Sequence, residues 1–186
     1  MEASVDLLTR RLRLRRLTRD DEAAVMSYRG DAHASRFLGH PPLTEGQYIP
    51  WFEERDIEWE LREPGHRRFY GIEIRASRML VGDAVLIRSA DGQQGEIGMF
   101  LHPDTAGLGY SLEAGAALLD IGFGSLNLHR IVGRAAAHNR SSVHAMERMG
   151  LRREALFLQS EKRGETWIDS AVYAILAAEW KRPPRS

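Results

Sequence analysis

Residues 95–114 read GEIGMFLHPDTAGLGYSLEA: a strand-like run to Leu101, a turn holding Pro103, Gly107 and Gly109, and the start of a helix. From Leu112 the apolar positions Leu112, Ala116, Leu119, Phe123 and Leu126 recur at the spacing of one helix face, and Asn127 is a natural stop. A strand that turns directly into a helix leaves the first helical amides unpaired and pointing the same way. With the helix dipole added, such an end favours an anion by about 0.3–2 kcal/mol. Glycines let that anion approach the backbone, because no side chain stands in the way. On spacing alone two readings fit, a tight corner and an anion cradle.

Upstream, "RRFYGIEI" and "MLVGDAVLI" read as strands, and "DGQQG" turns the second into "EIGMFL", which makes an antiparallel meander. Before it, Arg11, Arg13 and Arg15 alternate with Leu12 and Leu14, the period of a strand with one buried and one solvated face, and an anion-binding strip is the other reading of the arginines. The adjacent "RDDE" offsets much of that charge. "TRDDEAAVMSYRG" predicts a short helix capped near Thr18 and stopped by Gly30. In the next segment Tyr48, Phe52 and Trp59 predict a second helix, ended by Pro64 and Gly65.

Downstream, "HRIVGRAAA" is a strand and "NRSSVHAMERMG" a compact helix with Asn139 as cap, Gly150 as stop, and Val143, Met146 and Met149 as its core stripe. "LRREALFLQSEKR" and "TWIDSAVYAIL" form a last strand pair around Gly164. Helices do not alternate with every strand, so an α/β chain of the α+β type is expected: a mixed, mostly antiparallel sheet of about seven strands flanked by about four helices. A single domain over residues 1–182 and a tail at 183–186 complete the expectation.

Composition narrows the chemistry. The chain has 186 residues, 43% of them hydrophobic, enough to bury roughly 70% of the surface its unfolded form exposes. It has no cysteine, which excludes disulfides, thiolate metal sites and an enzyme-bound thioester. Twenty-six basic residues balance 26 acidic ones, so the basic footprint of a nucleic-acid binder is missing. No apolar run reaches membrane-spanning length and no signal peptide is visible, so a cytoplasmic protein is expected. Leu112 stands where a dinucleotide fingerprint needs its third glycine, no lysine completes a Walker loop, and G-x-S-x-G and H-E-x-x-H are absent. His138 and His144 fall on different helical faces, so no metal site is expected.

Four stretches together, "TRRLRLRRLTRDD", "GEIGMFLHPDTAGLGYSLEA", "LNLHRIVGRAAAHNRSSVHAMERMGLRRE" and "GETWIDSAVYAILAAEW", resemble the GNAT superfamily of acyl-CoA-dependent N-acetyltransferases. The resemblance is closest to the RimJ/RimL type, which includes acetyltransferases of ribosomal-protein N-termini. It implies that Ala106, Gly107, Leu108, Gly109, Tyr110 and Ser111 form the pyrophosphate loop for acetyl-CoA. Gly109 matches the fourth place of the family pattern. Ala106 and Ser111 depart at its ends, and Leu108 stands where many relatives carry a basic residue.

The resemblance also implies that Met99, Phe100 and Leu101 bind the pantetheine arm through the main chain, and that an amide near Phe100 polarises the thioester carbonyl. A lysine-like amine of pKa about 10.4 costs about 4.6 kcal/mol to neutralise at pH 7, and an α-amine about 1 kcal/mol, so a base is useful. Glu96 resembles the glutamate that serves as base in several acetyltransferases; a solvated residue beside the "DGQQG" turn is the other reading. Asn139 matches an asparagine near the pantetheine arm, and Ser142 a serine within reach of the CoA sulphur. Helix capping accounts for both equally well. Met146 occupies the place where many relatives hold a proton-donating tyrosine.

The implied activity is transfer of an acetyl group from acetyl-CoA to a primary amine, a protein N-terminus or a small molecule, by direct attack in a ternary complex. A CoA- or partner-binding domain without chemistry, or use of another donor such as succinyl-CoA, is the alternative. "FLGHPPLTEGQYIPWF" and the last strand pair, with Asp169 and Tyr173, are the expected acceptor walls, although Tyr48, Trp51 and Phe52 read first as core and packing accounts equally well for Trp167 and Tyr173. An edge strand offers a route to a homodimer.

Overall fold

The structure is a computed structural model; it describes residues 6–37, 41–56, 61 and 63–181. Its strands are β1 (Leu7–Leu8), β2 (Leu12–Arg15), β3 (Arg67–Ile74), β4 (Leu80–Arg88), β5 (Gln94–Leu101), β6 (Arg130–Ala136), β7 (Arg152–Arg163) and β8 (Thr166–Leu176). The helices are α1 (Glu22–Arg29), α2 (Ala32–Ser35), α3 (Tyr48–Asp56), α4 (Tyr110–Asp120) and α5 (Arg140–Arg148). The strands make one sheet in the order β1-β2-β3-β4-β5-β6-β8-β7, in which only β5 and β6 run parallel. The α+β expectation holds, with eight strands in place of seven and five helices in place of four among the described residues. The additions are a two-residue strand and a single turn, both too short to carry a periodic signal. Trp59 and residues 182–186 lie outside the described residues.

Alternation decides which side chains meet. On β2, Leu12 and Leu14 are fully buried while Arg13 and Arg15 face outward into ion pairs with Asp6 and with Asp21 and Glu73. On β5, Ile97, Met99 and Leu101 join the core under α4 and α5, whose Ala114, Leu118, Leu119, Met146 and Met149 are buried there. Phe100 points to the opposite face, into a cluster with Val25 and Tyr28 of α1 and Tyr48, Trp51 and Phe52 of α3. Tyr48, Trp51 and Phe52 are therefore core, 0%, 7% and 8% exposed. That second face also holds a buried ion pair: Arg29 donates to both carboxylate oxygens of Asp83, and Tyr28 Oη adds a third bond at 3.1 Å.

The helix read as continuing to Leu126 ends its regular part at Asp120 and continues as a wider π-type turn over Ile121–Ser125. Gly122 lies inside this turn, where a Cβ would stand 2.4 Å from Ile131 Cδ1. The glycine lets the helix end lie directly on β6.

Candidate active site

The sheet splits at its one parallel pair. β5 and β6 are paired from Gln94↔Arg130 to Ile97↔Gly133, and no further. Beyond that point β5 stays with β4 as far as Gly82↔Leu101, while β6 stays with β8 as far as Ala136↔Ser170. A gap therefore opens between Gly98–Leu101 and Arg134–Ala136. Both strands run on at their C-terminal ends into helix N-termini, β5 through the glycine turn into α4 and β6 through Asn139 into α5. A crevice at the diverging C-terminal ends of parallel strands is where open α/β sheets hold their ligands.

The ladder phase identifies the open main-chain groups. Ser89 N donates to Gln94 O and His102 N to Val81 O, so the even-numbered residues of β5 turn toward β4; His129 N donates to Gln93 O, so the odd-numbered ones turn toward β6. Past Ile97, the groups of Met99 and Leu101 face a partner that has left. Phe100 itself is turned to β4, so the main-chain groups near it that face the gap are those of its two neighbours.

At the end of β5, Pro103–Thr105 forms a 3₁₀ turn, after which Gly107 and Gly109 take φ values of 78° and 76°. These are left-handed conformations that side chains disfavour, which explains both glycines. Among the described residues no partner is found for the amides of Gly107, Gly109, Tyr110, Ser111 and Leu112. The loop thus presents donors around the N-terminus of α4, the arrangement an anion needs. Ala106 and Leu108 are exposed and bring no charge.

A residue that the sequence reading left on a solvated face stands beside this loop. Arg11 Nη1 donates to Leu108 O at 2.9 Å, its Nε bonds Glu113 at 2.7 Å, and its guanidinium lies 4.7 Å from the Tyr110 ring centroid. Glu113 also accepts from Thr9 Oγ1 and from the Arg11 amide, each at 2.6 Å. Burial pushes the Glu113 carboxyl up, but the bonds from Thr9 and Arg11 outweigh it and hold it below the usual carboxylate range. About a hundred residues separate the partners, so no local pattern could have found this cluster.

On α5, Asn139 Oδ1 accepts from Ser142 N at 3.3 Å and from Ser141 Oγ at 2.8 Å, which is the capping role. Its amide nitrogen has no partner among the described residues. Met146 packs on β6, where a Cβ on Gly133 would lie 2.7 Å from its Sδ. Ser142 is one turn earlier on the same helical face, nearer the open end of the gap, and its hydroxyl is unpaired among the described residues.

Glu96 lies on the sheet face away from α4 and α5, one residue before the split, and its carboxylate pairs with Arg134 Nε at 3.1 Å. Its side chain is 35% exposed. A cleft of about 570 Å3 is lined by His138, Gln159, Trp167 and Asp169, just before Asn139 in the chain. Phe37 packs edge-on against His138, with ring centroids 5.2 Å apart, and so brings one end of the expected acceptor wall against a residue that lines this cleft. Asp169 accepts from Gln159 N, while Tyr173 is buried and turns its hydroxyl to Glu147 at 3.4 Å, outside this cleft. Residues 38–40 of the expected wall lie outside the described residues.

Residues 11–152 match the family model described as "Acetyltransferase (GNAT) domain". The uncharacterized N-acetyltransferase YnaD of Bacillus subtilis (strain 168) is 29% identical over 174 residues, 94% of this chain and 98% of that protein. A GNAT-family acetyltransferase from Bacillus anthracis superposes with a TM-score of 0.84 at 27% identity, over 94% of this chain and all of that one. Spermidine N-acetyltransferase from Vibrio cholerae, solved with CoA and spermine, shares the fold at 21% identity with a TM-score of 0.77, over 91% and 97% of the two chains. The chain belongs to the acetyltransferase (GNAT) domain family and is an N-acetyltransferase.

Proposed function

We propose that the protein transfers an acetyl group from acetyl-CoA to a primary amine by direct attack in a ternary complex. The observation that carries this reading is the gap where β5 and β6 part, flanked by the amide-rich turn at Ala106–Ser111 and by the start of α5. The diphosphate rests on the amides of the turn, and the pantetheine arm runs beside Met99 and Leu101 toward Asn139. The thioester carbonyl takes a hydrogen bond from a free amide of β5, which stabilises the oxyanion as the amine attacks. Ser142 stands nearest the leaving sulphur. Met146 is built into the core and cannot donate a proton.

Glu96 lies on the face from which an amine reaches the thioester, and it accepts the amine's proton directly or through water. Arg134 holds its carboxylate in place. The cleft with Trp167 and Asp169 suits a cationic amine, one carboxylate and an aromatic wall being the chemistry that attracts it. A protein N-terminus of the RimJ/RimL type and a small amine both meet that description.

Release of free CoA from acetyl-CoA, followed over a panel of peptides and amines, tests the activity. Thermal stabilisation by CoA without thiol release with any acceptor would identify a binding module and overturn the catalytic reading. Within the active panel, Glu96→Gln is expected to lower kcat by about 100-fold or more. A loss below about threefold rejects the base assignment.

A further inference from the structure

We propose that Arg11 is a positioning residue for acyl-CoA, one that masks the carboxylate of Glu113 and fixes the diphosphate loop from outside it. The proposal rests on the reading that the diphosphate lies on the Ala106–Ser111 turn. The turn itself has no basic side chain, and the first turn of α4 carries a carboxylate, Glu113. An ionised carboxylate there suits the helix dipole but repels a diphosphate on the neighbouring amides. The structure resolves this conflict with a side chain from the far end of the sheet.

The Arg11 guanidinium does three things at once. Its Nε neutralises Glu113 at 2.7 Å, its Nη1 ties Leu108 O at 2.9 Å between the two left-handed glycines, and its plane covers Tyr110, the first residue of α4. Its Nη2 lies 3.5 Å from where a Cβ on Gly109 would stand, at the edge of the turn, and its side chain is 36% exposed. A lysine cannot reproduce this fork, because it has one nitrogen where the site uses separate ones. Thr9 and the Arg11 amide hold Glu113 from the other side, so the turn between β1 and β2 is fastened to α4 at the point where the loop must be rigid.

The test measures KM for acetyl-CoA and for S-acetylpantetheine, a donor without the diphosphate, in wild type, Arg11→Ala, Arg11→Lys, and the double variant Arg11→Ala with Glu113→Gln. Glutamine keeps the oxygen that accepts from Thr9 and the Arg11 amide, and removes only the charge. Arg11→Ala is expected to raise KM for acetyl-CoA about ten- to hundredfold, the range of one charge-assisted hydrogen bond, and KM for S-acetylpantetheine less than twofold. Arg11→Lys keeps the charge and falls between. The double variant recovers the part of the loss that comes from the unmasked Glu113 charge, and the part due to the lost Leu108 and Tyr110 contacts remains.

Equal increases for both donors, or no recovery in the double variant, would show that Arg11 only supports the fold and overturn the proposal. If the wild-type chain binds no CoA in a calorimetric titration, the diphosphate reading fails first and the role of Arg11 falls with it.

Discussion

Gly82 controls the wall of the gap, and replacing it with alanine tests the strand arrangement directly. A Cβ there would lie 2.4 Å from Phe100 O, 2.7 Å from Leu101 Cδ2 and 3.0 Å from Leu101 Cα. The leucine methyl can rotate away. The carbonyl cannot, because it belongs to the ladder whose next bond is His102 N to Val81 O at 2.8 Å. A relaxed carbon–oxygen contact is about 3.3 Å, so β5 must retreat by roughly 0.9 Å at Phe100. Overpacking of this kind costs about 1–3 kcal/mol, and loosening one ladder bond adds about 1 kcal/mol. The entropy that alanine removes from the unfolded chain returns about 0.4–1 kcal/mol. The net loss is about 1–3.6 kcal/mol, which for a chain of this size lowers Tm by about 2–14 °C. Because the retreating strand carries Met99 and Leu101, KM for acetyl-CoA should rise at temperatures far below the transition. Calorimetry of Gly82→Ala beside Gly124→Ala, whose Cβ meets nothing within 4 Å, makes the comparison. Equal Tm values for the two variants would refute the close approach of β4 and β5 and with it the described geometry of the gap wall.

Asp83→Ala leaves the Arg29 guanidinium buried without its carboxylate, and the two side chains are only 8% and 4% exposed in the folded chain. Urea unfolding should show a loss of about 3–5 kcal/mol, and a loss below about 1 kcal/mol would mean that Arg29 finds water or another partner. Acid should act through Asp21 and Glu113. Burial pushes the Asp21 carboxyl up, but its bonds from Arg15 and Thr18 outweigh this and hold it low, as Thr9 and Arg11 do for Glu113. A carboxyl whose folded pKa is depressed stabilises the fold above its unfolded value, near 4, and that contribution is lost as pH falls toward the folded value. Stability measured from pH 6 down to pH 2.5 should therefore fall mainly below about pH 4. In Asp21→Asn the part of that slope due to Asp21 should vanish, and an unchanged slope would count against the Arg15–Asp21 pair.

Much of the site was legible because its signals are local. Strand, glycine turn and helix follow one another in GEIGMFLHPDTAGLGYSLEA, and the left-handed φ of Gly107 and Gly109 is the conformation that such a turn asks of glycine. Leu12 and Leu14 alternate with arginines, and they are buried as that period requires. Asn139 caps α5, as a polar residue before an amphipathic run should. The short additions, Leu7–Leu8 and Ala32–Ser35, were not legible, since neither spans one full period of its own pattern.

What the sequence alone determined, then, is the order of elements, their buried faces, and a loop of backbone donors between a strand and a helix. These follow from side-chain periodicity and from the few residues that tolerate unusual dihedrals, both of which act over a handful of neighbours. Tertiary structure decided that β5 and β6 part after Ile97 and Gly133, and therefore that the open amides belong to Met99 and Leu101 rather than Phe100. It also decided that Arg11 meets Glu113 across the fold. Register and charge pairing between distant segments depend on which strands become neighbours, and no local pattern in the chain contains that information.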